Sequence, residues 1–399
     1  RRSSRAFFLT FVLGTAAMSS PVQTGLEVER ENGWPTLAGA RVGVLTNPTG
    51  VTSSLEHEVD VMAADQDVNI VAVFGPEHGF RGTSQAGGSE GFFIDPATGL
   101  PVFDVYRKKG EELRSILQDK AKVDTVVFDI QDVGTRFYTY IWALYDLMVV
   151  AASAEINVVV FDRPNPIGGE VVEGPAGMDP KLASDVGRQP IALRHGLTVG
   201  ELAQLFNAEF IPGEAGGKTS PLTVVPMRGW HRAMLWEDTG LPWVPPSPNM
   251  PTPMTALVYT GSGLLEGANC SEGRGTTLPF EIVAGTPALG KDVTALTGLV
   301  ADLRSVLEAE NTRVREAYFI PAFGKNSGMG TLGGVQLVLP LPRAGTGAGE
   351  VRSVRLGAAL LWALRRRSPA EWAWVQAPGA GAPWIDTLTG SSALRDAVD

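Results

Sequence analysis

Short, wholly apolar runs alternating with segments of helical length predict an α/β fold: a Rossmann-like parallel-sheet domain followed by a smaller C-terminal α+β domain. Two further observations support this. Each apolar run ends abruptly in Gly, Pro, Asn or Asp, and the texture of the chain changes after about Leu289. In order, Arg41–Thr46 reads as a buried strand closing in Asn47-Pro-Thr-Gly50, and a polar helical stretch runs from about Ser54 to Asp65. Asn69–Phe74 is a second strand that stops at Gly75-Pro76. Asp124–Asp129 is a third, Tyr138–Ala154 has helical length and periodicity, and Asn157–Phe161 is a fourth strand.

From Pro175 to Val258 the chain is richer in proline and tryptophan, with a helix at Thr198–Glu209 opened by a Thr198/Glu201 capping box. Pro242–Pro253 carries too many prolines for a helix or central strand and is expected to be an irregular, ordered wall. Beyond Leu289, Val293–Glu308 and Val351–Arg366 read as helices and Gly334–Leu339 as a strand. The Gly- and Ala-rich Arg343–Glu350 reads as a surface loop. The expected division is a signal-like segment over 1–24, a catalytic sheet domain over 25–288 and the smaller domain over 289–399.

At 399 residues, 44% hydrophobic and 19% charged, the chain has the makeup of a globular protein with a substantial core. Its net charge of −10 argues against a binder of nucleic-acid phosphates and against a polybasic membrane anchor. Cys270 is the single cysteine, which excludes an intrachain disulfide and a cysteine-based zinc cluster; a small, inert, buried residue is expected there. The first strand is not followed by a G-x-G-x-x-G turn and no phosphate-cradling G-x-x-x-x-G-K-[ST] loop occurs, so no nucleotide cofactor is expected. Arg1, Arg2 and Arg5 followed by apolar Ala6–Val12 resemble a secretory signal peptide too short to span a membrane, which predicts a secreted or periplasmic protein without stable membrane insertion. Translation from Met18 would remove that signal and leave the protein cytoplasmic.

The strand ends carry the chemistry. The second delivers Glu77, His78 and Arg81; the third delivers Asp129, Asp132, Arg136 and Tyr138; the fourth delivers Asp162, Arg163 and Asn165. Parallel strands would project all three clusters from one edge, where α/β proteins bind ligands. Acids and arginines converging there suit acid/base chemistry and anion binding. The competing reading is a set of ion pairs capping the strand ends. The Gly-rich run Gly261–Thr277 interleaves Glu266, Asn269, Glu272 and Arg274, a pattern suited to close approach to a hydroxylated ligand. His195 precedes the capped helix and is open to a role in the site, whereas His57 and His231 read as surface residues.

Six blocks in order then resemble the NamZ-type exo-β-N-acetylmuramidases. They are Gly75–Gly82, Asp129–Tyr140, Asp162–Gly169, Arg194–Glu201, Pro246–Thr252 and Ser271–Thr277, within a resemblance running from about Gly25 to beyond Gly390. The resemblance implies a cleft between the two domains and release of N-acetylmuramic acid from non-reducing ends of peptidoglycan fragments. In that reading Glu77, with His78 beside it, is the acid/base candidate, and Asp129 and Asp132 compete for the second carboxylate. The lactyl carboxylate of the substrate needs a cation, for which Arg81, Arg136, Arg163 and Arg274 are candidates. Tyr138, Asn165 and Asn249 are placed to reach sugar hydroxyls, and His195, Glu266, Asn269 and Glu272 complete the substrate-binding set. No metal is expected. The sequence departs from the family at Gly267-Ala-Asn-Cys270 and Gly285-Thr-Pro-Ala288, and stops soon after Gly390 where family members continue, which bears on substrate preference. Two rival readings are a metal-dependent hydrolase built on His78, Asp129, Asp132 and His195, and a non-catalytic carbohydrate-binding protein.

Overall fold

The structure, a computed structural model, describes residues 21–307, 312–339, 351–377 and 381–399. Most of the signal-like segment and the 343–350 stretch read as a surface loop lie outside these described residues. Among the described residues the main sheet has seven strands: β1 (Val42–Thr46), β2 (Ile70–Gly75), β3 (Phe93–Ile94), β4 (Pro101–Asp104), β5 (Thr125–Asp129), β6 (Asn157–Phe161) and β7 (Leu222–Val225). Their spatial order is β3-β4-β2-β1-β5-β6-β7. All neighbours pair in parallel except the edge strand β3, which runs antiparallel to β4.

The central strands are buried on both faces, so each reads as an unbroken apolar run. Alternation is still present in three dimensions. Val126 and Phe128 of β5 join Leu144 and Met148 of the helix Tyr140–Ala154, whereas Val127 joins Trp34, Val59 and Met62 on the opposite face. Because β1, β2, β4, β5 and β6 point the same way, Asn47, Glu77, Tyr106, Asp132 and Arg163 all emerge just past one edge of the sheet.

The second unit packs the helices Pro253–Ser262, Val293–Leu307 and Ser353–Arg367 with an antiparallel sheet of β8 (Ile282–Ala284), β9 (Arg313–Phe319) and β10 (Leu332–Val338), in the order β8-β10-β9. Its first helix and first strand therefore lie upstream of Leu289, where the sequence texture changes. The glycines of the 261–277 run are explained by packing, not by ligand approach. A Cβ on Gly261 would lie 1.9 Å from the Ser353 carbonyl, and one on Gly357 would lie 2.4 Å from the Gly261 carbonyl, so two helices cross at backbone contact. Gly267 is pressed likewise against Ile385, and Gly275 against the Phe323 backbone.

Two wholly buried arginines tie the units together. Arg136 donates to the Ile191 carbonyl at 2.8 Å and the Leu388 carbonyl at 3.1 Å, and Arg194 to the Val351 carbonyl at 2.8 Å and the Ile167 carbonyl at 2.5 Å. Burial pulls each guanidinium down to about 10; backbone carbonyls hold the Arg136 charge, and at Arg194 the Glu173 carboxylate at 3.5 Å adds to them. Among the described residues no helix is long and apolar enough to cross a membrane.

Local signals account for the remaining differences. The helix expected from Ser54 begins at Glu58, because the His57 ring accepts the Val59 N–H as its cap at 3.2 Å. His57 is thus not a surface residue; it packs edge-on against Phe80 and faces the Asn47 carbonyl at 3.1 Å. Burial, with the nearby Arg81 charge, pulls it down to about 4. The Thr198/Glu201 capping box forms as expected, and Cys270 is buried, with burial pushing its thiol up to about 12.

Candidate active site

Glu77 stands two residues beyond β2 on a loop that folds back on itself. Glu90 accepts the Phe80 N–H at 3.0 Å and the Thr83 hydroxyl at 2.6 Å, and a Cβ at Gly79 would lie 2.3 Å from the Glu90 carboxyl carbon. Gly79 also has φ of +83°, so glycine is needed there on two counts. The loop presents a half-buried Glu77 carboxylate held by neutral donors: the Gly87 N–H at 2.7 Å and the Thr139 hydroxyl at 2.7 Å. The Tyr106 hydroxyl bonds to the same carboxylate. Burial first, and the Glu77 charge second, push that phenol above its usual range. Among the described residues no cation pairs with Glu77.

Asp132 is the second carboxylate in this space. Its Oδ2 accepts the Gly134 N–H at 2.7 Å and faces His195 Nε2 at 3.2 Å. His195 Nδ1 accepts the Leu197 N–H at 3.2 Å, so Nε2 carries the proton donated to Asp132. Oδ1 of Asp132 is buried with no hydrogen-bond partner among the described residues, as are the Tyr138 hydroxyl and the Asn249 amide nitrogen. An unmet buried polar group costs about 1–3 kcal/mol, so these three atoms have hydrogen-bonding capacity left for a polar ligand.

A cluster of aromatic rings lies within electrostatic reach of both carboxylates. Tyr138 meets Tyr140 at 5.1 Å and Tyr259 at 5.8 Å, both edge-on, and Tyr259 meets Phe280 at 4.7 Å. Burial raises all three tyrosines well above their usual range, and the charges of Glu77 and Asp132 add to the rise in each. Tyr140 donates to the Pro246 carbonyl at 2.5 Å, which brings the proline-rich segment bearing Asn249 across the site.

The other predicted residues have structural partners. Asp129 is fully buried and pairs with Arg163 through two hydrogen bonds, one of them at 2.8 Å, and the buried Glu58 carboxyl abuts it. It is therefore not in competition with Asp132, and Arg163 is not free for a substrate carboxylate. Arg136 is likewise unavailable, held by the carbonyls described above. Arg81 bridges Asp95 at 2.9 Å and Asp60 at 3.1 Å. His78, at φ of +71°, aims Nδ1 at the Ser84 carbonyl at 3.0 Å and holds the loop. Asn165 bonds the Leu197 carbonyl and the Ile167 N–H, and Asn269 the Glu371 carbonyl and the Ala373 N–H.

Glu266, Glu272 and Arg274 do meet, on the wall beside Tyr259. Arg274 bridges Glu266 at 2.8 Å and Glu272 at 3.0 Å, and Lys325 reaches Glu272 at 3.2 Å. Two anions thus face two cations. Among the described residues no three His, Cys, Asp or Glu side chains group as a metal site. Tyr106, Thr139, Tyr259 and Lys325 are not singled out by the sequence. Tyr106, for instance, follows β4, whose four residues begin with Pro101 and give no periodic signal.

A family profile described as exo-β-N-acetylmuramidase NamZ, N-terminal, matches residues 42–254, and its C-terminal counterpart matches 257–399. The chain belongs to the NamZ exo-β-N-acetylmuramidase family. The NamZ relative in Bacillus subtilis (strain 168), a peptidoglycan β-N-acetylmuramidase, is 41% identical over 388 residues, spanning 94% of this chain and 88% of its own length. Two DUF1343 family proteins of Bacteroides fragilis NCTC 9343 have similar crystal structures. One aligns with a TM-score of 0.80 at 33% identity over 94% of this chain and 91% of its own. The other aligns with a TM-score of 0.68 at 28% identity over 95% and 91%. The N-terminal NamZ match ends where the parallel-sheet unit gives way to the helix Pro253–Ser262.

Proposed function

We propose that this chain is an exo-acting glycoside hydrolase that releases N-acetylmuramic acid from the non-reducing ends of peptidoglycan fragments, with Glu77 as the acid/base and Asp132 as the second carboxylate. The observation that carries the assignment is the contrast in pairing at the strand ends. Glu77 is held by neutral donors, Asp132 keeps one carboxylate oxygen without a partner among the described residues, and both act electrostatically on the same tyrosines.

Glycoside cleavage needs a proton on the leaving oxygen and support for the positive charge that develops at the ring carbon. Glu77, directly past β2 and beside Tyr106, is the group assigned to deliver the proton. Asp132, oriented by His195 and the Gly134 N–H, supports the charge. The tyrosine faces supply an apolar wall for a sugar ring, and the unmet Tyr138 and Asn249 groups supply its hydroxyl partners. Such a substrate belongs to the cell wall, which agrees with the signal-like N-terminus and supports a location outside the cytoplasmic membrane; fractionating cells that express the full chain tests this.

The test of function is chromophore release from a β-linked N-acetylmuramic acid glycoside, beside the N-acetylglucosamine equivalent. The wild type is expected to cleave the muramyl compound selectively, and Glu77→Gln to lose that activity. Absence of turnover by a folded wild type would favour the carbohydrate-binding reading.

A further inference from the structure

Arg81, Arg136, Arg163 and Arg274 are each held by two or more acceptors of the protein, yet the rim of the pocket beside Glu77 holds another arginine. We infer that Arg107 binds the lactyl carboxylate of the muramyl substrate and displaces Asp185 to do so, an assignment that rests on the muramyl substrate proposed above.

The register of the sheet puts Arg107 there. Gly75 of β2 pairs with Asp104 of β4 in parallel, so the residues two and three beyond them, Glu77 on one strand and Tyr106 and Arg107 on the other, leave the sheet side by side. Asp104 then accepts the Tyr106 N–H at 2.9 Å and, on its other oxygen, the Ser89 hydroxyl at 2.8 Å, which fixes the turn. Arg107 adopts a left-handed backbone with φ of +60°, uncommon for a residue with a side chain. Its guanidinium lies over the Tyr106 ring, 4.8 Å from the centroid, and the hydroxyl of that ring bonds to Glu77. One aromatic ring thus spans the distance from the proposed acid to the cation.

The cations of this region differ in how they are held. Arg163 and its partner Asp129 have side chains 4% and 0% exposed, whereas Arg107 and Asp185 are 60% and 40% exposed and joined by a single ion pair at 3.0 Å. Exchange of Asp185 for a ligand carboxylate leaves no buried charge stranded. Lys108, also on the rim, is held by Glu112 at 2.6 Å, and Asp146 by Arg188. Below Arg107 the pocket, about 580 Å³ with its open mouth, is lined by Leu45, Phe74, Val105, Leu113 and Leu147. A lactyl ether combines a methyl group with a carboxylate, and this pocket offers an apolar floor beneath a planar cation that can grip a carboxylate through two parallel hydrogen bonds.

The test measures binding, so it does not depend on turnover. Free N-acetylmuramic acid and its lactyl amide are titrated by calorimetry against wild type, Arg107→Gln, Arg107→Lys and Asp185→Asn. Loss of a charge-assisted contact should weaken binding of the acid by about 10- to 100-fold in Arg107→Gln. Arg107→Lys should recover part of the loss, and affinity for the amide should not change. Asp185→Asn should bind the acid a few-fold more tightly. Unchanged affinity of Arg107→Gln for the acid, equal loss for acid and amide, or no binding of the acid by the wild type would overturn the inference. A wild type that binds the acid through Arg107 but cleaves no muramyl glycoside would uphold it and reject the hydrolase reading instead.

Discussion

Two clusters of charge leave the same edge of one sheet and have opposite fates. At the ends of β5 and β6, Asp129 and Arg163 close on each other with Glu58 behind them, all but sealed from solvent. Nearby, Glu77 and Asp132 meet only neutral donors and a histidine ring. The sealed cluster holds the crossover loops in place, with Arg163 also bonding the Val51 carbonyl at 3.1 Å. Asp132 is as buried as Arg163 yet keeps one oxygen without a partner among the described residues, and Glu77 is half-buried, so this pair, positioned by that framework, has capacity left for something else. An acid at a strand end is thus informative only once its partner is known.

Substitutions can break or sharpen this contrast. The largest expected effect is that of Glu77→Gln, which should lower kcat on a muramyl glycoside by about three to four powers of ten, the upper range for a general acid. Its melting temperature should stay close to that of the wild type, because no ion pair is lost. Arg163→Met should do the reverse. Removing one member of a buried pair costs about 3–5 kcal/mol, read as a lower urea midpoint, with kcat per folded molecule near that of the wild type. If Arg163→Met instead abolished turnover in fully folded protein, the division between framework and chemistry would fail.

His195→Phe is expected to fall between these. Freed from its Nε2 donor, Asp132 loses orientation, and kcat should drop about 10- to 100-fold with little change in KM. His195→Gln, which keeps an N–H donor, should restore part of the rate. The smallest effect concerns Glu58. Burial first, and the adjacent Asp129 charge second, raise its carboxyl well above the ordinary 4.5. A group whose pKa is raised on folding contributes stability that is full below about 4.5 and is lost as pH rises towards the folded value. Glu58→Gln removes this dependence, so the difference in melting temperature between it and the wild type should move in favour of the variant from pH 5 to pH 8.

Much of the sheet was legible in the sequence because strands buried on both faces cannot hide their apolar runs. Strands β1, β2, β5 and β6 fall where those runs lie, each within a residue or so. Strands β3, β4 and β7 were not, being short, partly exposed and, in β4, opened by proline. Within the site, Glu77 and Asp132 were legible as acids directly after strands. The role of each arginine was not. Asp129 meets Arg163 across 34 positions, and Arg136 meets the Leu388 carbonyl across 252. Composition names the ions, but tertiary pairing decides which stay available. Arg107 is hidden in the sequence for a related reason, since it follows a strand that the apolar pattern does not reveal.

The two arginines that tie the units together have one more consequence. Arg136 and Arg194 grip main-chain oxygens at residues 388 and 351, not side chains. Any amino acid there presents the same acceptor, so Leu388 and Val351 can drift through evolution or be replaced by design while the fastening survives, as long as the path of the backbone is kept. A chain cut upstream of residue 351 would fare differently. Two guanidiniums would each lose an acceptor in the protein interior, which makes the parallel-sheet half a poor candidate for expression as an independent module.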